Sequence, residues 1–115
     1  MTVTVGLIKD RHALPVDNYI FDKIENVFDF EYMSNVIGTF LEKAIGIKTV
    51  YGSCVNQCDC TDVLMYTGSN ELIVYVTGLT AVTAELIRLC ALNGVSLTLM
   101  HYNHATNNYV AQRIF

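Results

Sequence analysis

The sequence predicts an α/β fold: a small mixed sheet with two main helices and one βαβ unit in the C-terminal half. Three observations predict it. Leu72-Ile-Val-Tyr-Val-Thr77 is a continuous apolar, β-rich run, as expected of a strand covered on both faces. Met33, Val36, Ile37, Phe40, Leu41 and Ala44 recur three and four residues apart, the spacing of a helix with one buried face. Finally, a strand, the turn Gly78-Leu79-Thr80, a second helical series, Asn93-Gly94 and another strand succeed one another within about thirty residues, the length of a βαβ unit.

The elements follow in order. Val3-Thr-Val-Gly-Leu-Ile8 alternates and is rich in β-formers, so it reads as a buried first strand. Lys9 to Asp17 is a polar loop closing on Pro15. Tyr19 to Ile24 is a short amphipathic piece that fits a helix or a strand equally. Asp29 precedes Glu31 and the first helical series and so reads as its N-cap, while Gly46 ends that helix. Ile47 to Tyr51 reads as a strand, Ser53 to Asp62 as a loop, Val63 to Tyr66 as a short strand and Thr67 to Asn70 as a turn. The second helix starts at Leu79 or Thr80 and carries Val82, Leu86, Leu89, Cys90 and Leu92. Val95 to Met100 is the next strand, and Tyr109 to Phe115 the last, across a turn at His104 to Asn108.

Composition sets the bounds. The chain has 115 residues, 52% hydrophobic and 16% charged, with a net charge of −4. That length suits one domain, here residues 1–115, and the apolar share excludes wholesale disorder. No run approaches the roughly 18 apolar residues of a membrane span, and the start lacks the basic and apolar regions of a signal peptide. A cytoplasmic protein without a membrane partner is the expectation. The acidic balance disfavours a nucleic-acid polymer as partner. The charge is uneven, however. Residues 1–31 hold six acids, whereas residues 86–115 hold none and carry Arg88, Arg113, His101 and His104. A local site for a small anion fits that pattern, as does chance in a short chain.

In an α/β sheet ligands sit beyond the carboxyl ends of the strands. Two rims qualify. Thr77-Gly78-Leu79-Thr80 opens a helix, where free backbone amides and the positive helix end favour a phosphate. A plain tight turn capped by Thr is the simpler alternative. His101-Tyr102-Asn103-His104 gathers two imidazoles, a phenol and an amide, suited to holding a nucleobase. A solvated hairpin end explains the same residues. Parallel neighbouring strands would set the two rims side by side. Arg11, followed by His12, and Arg113, preceded by Gln112, are candidate anion contacts through the guanidinium fork. Both positions also suit ordinary surface roles. Cys54, Cys58 and Cys60 form C-x3-C-x-C without the second pair of a zinc site, so free thiols are preferred over zinc. Cys90 reads as core. No cofactor, metal ligand set or catalytic constellation is assigned.

Two stretches carry a family resemblance. They are Val5-Gly-Leu-Ile-Lys-Asp-Arg-His-Ala-Leu-Pro-Val-Asp-Asn-Tyr-Ile-Phe21, and Val74-Tyr-Val-Thr-Gly-Leu-Thr80 with Gly94-Val-Ser-Leu-Thr-Leu-Met-His-Tyr-Asn103 and Tyr109-Val-Ala-Gln112. Together they resemble small phage proteins of the anti-Thoeris sponge type, the first Thoeris anti-defence family. The resemblance covers both ends and about half the chain; residues 22–71 add little. It implies a protein that is not an enzyme. Such proteins bind a cyclic ADP-ribose isomer made by a bacterial TIR-domain immune enzyme and keep it from its effector. Relatives also hold cyclic di- or trinucleotides and form homo-oligomers up to hexamers, which implies action in the cytoplasm of the infected host.

The ligand-binding candidates, chosen from the rims and termini, are Arg11, His12, Thr77, Gly78, Leu79, Thr80, His101, Tyr102, Asn103, Tyr109, Gln112 and Arg113. The expected partners are a small cyclic nucleotide and further copies of the chain, as a dimer or hexamer. The alternative is a small nucleotide phosphodiesterase or ring nuclease using His101 or His12. A zinc or redox interaction module built on the three clustered cysteines is a third reading.

Overall fold

The computed structural model describes residues 2–9, 14–46 and 70–115. They form an α/β fold with a five-stranded mixed sheet and two helices. The order along the chain is β1 (Thr2–Ile8), β2 (Tyr19–Phe21), α1 (Phe30–Ala44), β3 (Glu71–Tyr75), α2 (Thr80–Leu92), β4 (Ser96–Asn103) and β5 (Asn108–Arg113). Across the sheet the order is β2-β1-β3-β4-β5. The first four strands are parallel, and β5 runs antiparallel at the edge.

Side-chain alternation divides the sheet into two faces. Val5, Val74 and Leu99 stand in one row across β1, β3 and β4, and all three are buried. Leu7, Leu72 and Leu97 share their face and are fully buried. Met33, Ile37 and Leu41 of α1 and Val82, Leu86, Leu89 and Cys90 of α2 complete one apolar core with them. The neighbouring row, Thr4, Ile73 and Thr98, is exposed or half-buried. The sequence expectation that β3 is covered on both faces therefore fails. Its burial alternates, as in a sheet with helices against one side.

Several boundaries also move. Tyr19 to Phe21 is strand, because it finds a parallel partner at Gly6 and Ile8. β3 stops at Tyr75 rather than Thr77, and β4 runs three residues beyond Met100, drawn out by its pairing with β5. β5 ends at Arg113. The expected strands at 47–51 and 63–66, the loop at 53–62 with its three cysteines, and all but the last residue of the turn at 67–70 lie outside the described residues.

α1 starts where the sequence places it. The Asp29 carboxylate accepts from the Tyr32 amide at 3.1 Å, satisfying one of the unpaired first-turn donors. Gly46, at φ +79°, leaves the helix in the left-handed region that glycine enters without strain. The helices are joined by a polar clamp. Ser34 Oγ donates to Glu85 Oε2 at 2.7 Å and accepts from Arg88 Nη2 at 2.8 Å, while Arg88 also grips Glu85 Oε2 at 2.6 Å. Burial pushes the Glu85 carboxyl up, but the hydrogen bonds from Arg88 and Ser34 and the Arg88 charge outweigh it and hold it below 4.5.

β2 is docked by an unusual closeness. A Cβ on Gly6 would stand 2.6 Å from the Tyr19 ring and 3.0 Å from Leu14 Cδ1. The ring lies directly on the glycine, so only a residue without a side chain fits there.

Two outcomes follow. Gly6→Ala is expected to destabilise the fold by about 1–3 kcal/mol, the usual range for overpacking. In a double-mutant cycle read by thermal denaturation, Tyr19→Ala should recover part of that loss; strict additivity would show that the ring does not cover Gly6. Glu85 is depressed in the fold, so its contribution is present above its unfolded value and is lost as pH falls below it. Glu85→Gln should therefore flatten the acid limb of the stability profile below about pH 4.5, measured by urea unfolding across pH.

Candidate functional site

The parallel pairing of β3 and β4 brings the two rims together. Tyr75 stands opposite Met100, and the Val76 amide donates to the Met100 carbonyl at 3.2 Å, one step beyond the strand. The chain then turns through Thr77 and Gly78 into α2. Gly78 has φ +87°, and a Cβ there would meet nothing within 4 Å. Its conformation demands glycine, and open space lies beside it.

That space is part of a groove of about 830 Å³, within the range of small-molecule sites. Val76, Thr77, Gly78 and Thr80 line it at the end of β3 and the start of α2. One face of α2 adds Thr83, Ala84 and Ile87. His101, Tyr102, His104 and Tyr109 supply the opposite wall from the β4–β5 hairpin, and Leu14 completes it. Among these described residues there is no carboxylate and no lysine or arginine. Nor does any group of three or more His, Cys, Asp or Glu among the described residues stand ready to hold a metal.

The hairpin wall is aromatic. Tyr109 meets Tyr75 edge-on at 4.8 Å between ring centroids and Tyr102 at 5.3 Å, and Tyr102 meets His104 at 4.8 Å. Edge-to-face pairing fixes these rings in place without stacking their faces on one another. Tyr102 is 42% exposed, and its hydroxyl donates to Asn107 Oδ1 at 3.0 Å. Asn107 holds the turn at φ +55°. Burial, followed by the neighbouring Tyr102, Tyr75 and Tyr19, pushes the Tyr109 phenol up from 10, so it stays a neutral donor at neutral pH. His101 Nε2 lies 2.7 Å from Gln112 Oε1. The two side chains thus share a hydrogen bond across the β4–β5 pair.

The helix start differs in kind from that of α1. Leu79 is the N-cap and offers no side-chain hydrogen bond. The first intrahelical donor is Thr83, to the Leu79 carbonyl at 3.2 Å, so the amides of Thr80, Ala81 and Val82 lack an intrahelical acceptor. Thr77 is only 7% exposed, and its Oγ1 has no hydrogen-bond partner among the described residues.

Comparison with protein-family models, curated proteins and solved structures returned no match. The site therefore rests on its own geometry.

Of the residues singled out in the sequence, Thr77, Gly78, Thr80, His101, Tyr102 and Tyr109 come together at the groove. His101, Tyr102 and Asn103 lie within β4, not on a loop beyond it; only His104 begins the turn. Leu79 packs against the core, and Asn103 Oδ1 accepts from the Ala105 amide, bracing the turn. Gln112 touches the site only through His101. Arg113 is not among the described residues that line this groove. Its register opposite Thr98 carries it toward the start of β3, where it lies 3.8 Å from Glu71. Arg11 and His12 lie outside the described residues. Leu14, Val76, Thr83, Ala84 and Ile87 were not legible as site residues. A signal for three of them exists: Thr80, Thr83, Ala84 and Ile87 repeat three and four apart beside the core stripe Val82, Leu86 and Leu89, marking a second face of α2. The core placement expected of Cys90 holds, and burial pushes its thiol up to about 12.

Thr77→Val removes an unpaired buried hydroxyl and keeps the side-chain shape. It is expected to stabilise the free protein by about 1 kcal/mol. Thermal unfolding should then shift upward by several degrees; a downward shift would show that the hydroxyl is already satisfied.

Proposed function

We propose that the chain binds a small cyclic nucleotide and sequesters it without cleaving it. The ligand class is the one the resemblance implies, a cyclic ADP-ribose isomer, with cyclic di- or trinucleotides as related occupants. The observation that carries this reading is the groove beyond the ends of β3 and β4, walled by aromatic rings on one side and by a helix start with small hydroxyl-bearing residues on the other. A nucleobase needs a ring to stack on, and Tyr102 is exposed and held by its neighbours. Tight holding without turnover needs only oriented donors and aromatic surface.

The same reading places the protein in the cytoplasm of an infected bacterium, acting against an anti-phage signal. No helix among the described residues is long and apolar enough to cross a membrane. It also includes self-association as a dimer or hexamer. The exposed Phe28, Phe30, Tyr32 and Val110 are apolar surface that such an assembly would use.

The second reading, a nucleotide phosphodiesterase, draws on one observation: His101 and His104 line the same groove. Cleavage of a phosphodiester needs an acid and a base, and two imidazoles can fill those roles.

One experiment separates the readings. Protein made in cells that express a TIR-domain enzyme is purified, heat-denatured, and its released small molecules are identified by mass spectrometry. Intact cyclic nucleotide is the expected result; a linear product would assign the groove to the phosphodiesterase. Tyr102→Ala should weaken binding about tenfold or more through loss of base stacking, by calorimetry.

A further inference from the structure

Thr77 lines the groove and carries a buried hydroxyl. Its Oγ1 has no hydrogen-bond partner among the described residues, whereas the buried Ser34 hydroxyl between α1 and α2 is bonded twice. Immediately beyond Thr77 come the first-turn amides of α2, which have no intrahelical acceptor, no acidic residue in that turn and no side-chain cap. α1, by contrast, closes its own start with Asp29 and carries Glu31 beside it. Gly78 leaves open space on the path between Thr77 and those amides. An unpaired hydroxyl and an uncapped positive helix end side by side make a donor set without an acceptor.

We infer that Thr77 and the first turn of α2 form an anion subsite that takes a phosphate oxygen of the nucleotide held in the groove, so that the ligand lies with its phosphate at the α2 end and its base toward Tyr102. This rests on the nucleotide reading of the groove. The donors are neutral, a hydroxyl and backbone amides, and act through direction and the helix dipole. A step between staggered positions about the Thr77 Cα–Cβ bond re-aims Oγ1, so the side chain can present it to an arriving oxygen without moving the backbone.

The test uses three probes, inorganic pyrophosphate, adenosine and ADP-ribose, titrated by calorimetry into wild-type protein, Thr77→Val and Thr77→Ser. Pyrophosphate and ADP-ribose affinity should fall about tenfold in Thr77→Val and return in Thr77→Ser, while adenosine binds all three proteins alike. A merely structural hydroxyl would move adenosine together with the other two probes, which would overturn the subsite. Unchanged ADP-ribose affinity in Thr77→Val overturns the subsite and leaves the nucleotide reading standing. Pyrophosphate binding that depends on Thr77, without any adenosine binding, supports the subsite and overturns the nucleotide reading. Absence of binding by every probe overturns both.

Discussion

Everything described at the groove depends on the parallel pairing of β3 with β4. Parallel strands finish at the same edge, and the α2 crossover between them must begin at that edge too. A helix start and two strand ends are therefore forced into one place. The register from Glu71 opposite Ser96 to Tyr75 opposite Met100 sets how far each rim extends. The buried contacts of Val74, Leu99, Val82 and Leu86 hold the crossover against the sheet, so the site inherits the rigidity of the core.

The contrast between the helix contact and the groove shows how the fold treats polar groups. Between α1 and α2, Ser34, Glu85 and Arg88 satisfy one another, and the depressed Glu85 carboxyl records how completely. At the groove, among the described residues, the Thr77 hydroxyl has no partner and the first turn of α2 has no side-chain cap. A buried polar group without a partner costs stability, and such costs persist where a ligand will meet them. The difference lies in the neighbourhood of each group: Ser34 faces a charged pair, Thr77 faces a groove whose described lining holds no acid.

Much of this was legible in the sequence. The helical period from Met33 to Ala44, Asp29 before it and Gly46 after it marked α1, because capping and periodicity are local properties. The βαβ unit was legible for the same reason, and with it the adjacency of Thr77 to His101. What escaped depends on distant partners. Tyr19 to Phe21 becomes strand only because Gly6 leaves room for the Tyr19 ring, and neither segment announces the other. The extension of β4 through Asn103 is imposed by β5, which turned an expected rim into strand. The register that sets Arg113 3.8 Å from Glu71, away from the groove lining, is likewise not a local property. The α2 wall of Thr83, Ala84 and Ile87 was hidden by residues that resemble an ordinary half-buried helix face.

The groove walls have one further property. All but Leu14 come from residues 76–109, a continuous stretch of chain folding as strand end, helix and hairpin. Within it α2 and the start of β4 belong to the one apolar core, whereas the β4–β5 hairpin beyond Met100 is largely exposed and can open without disturbing that core. A ligand in the groove would bridge the two halves of that stretch, α2 and the β4–β5 hairpin, and slow their separation. Residence time would then be set by the breathing of this one segment and not by the unfolding of the whole protein.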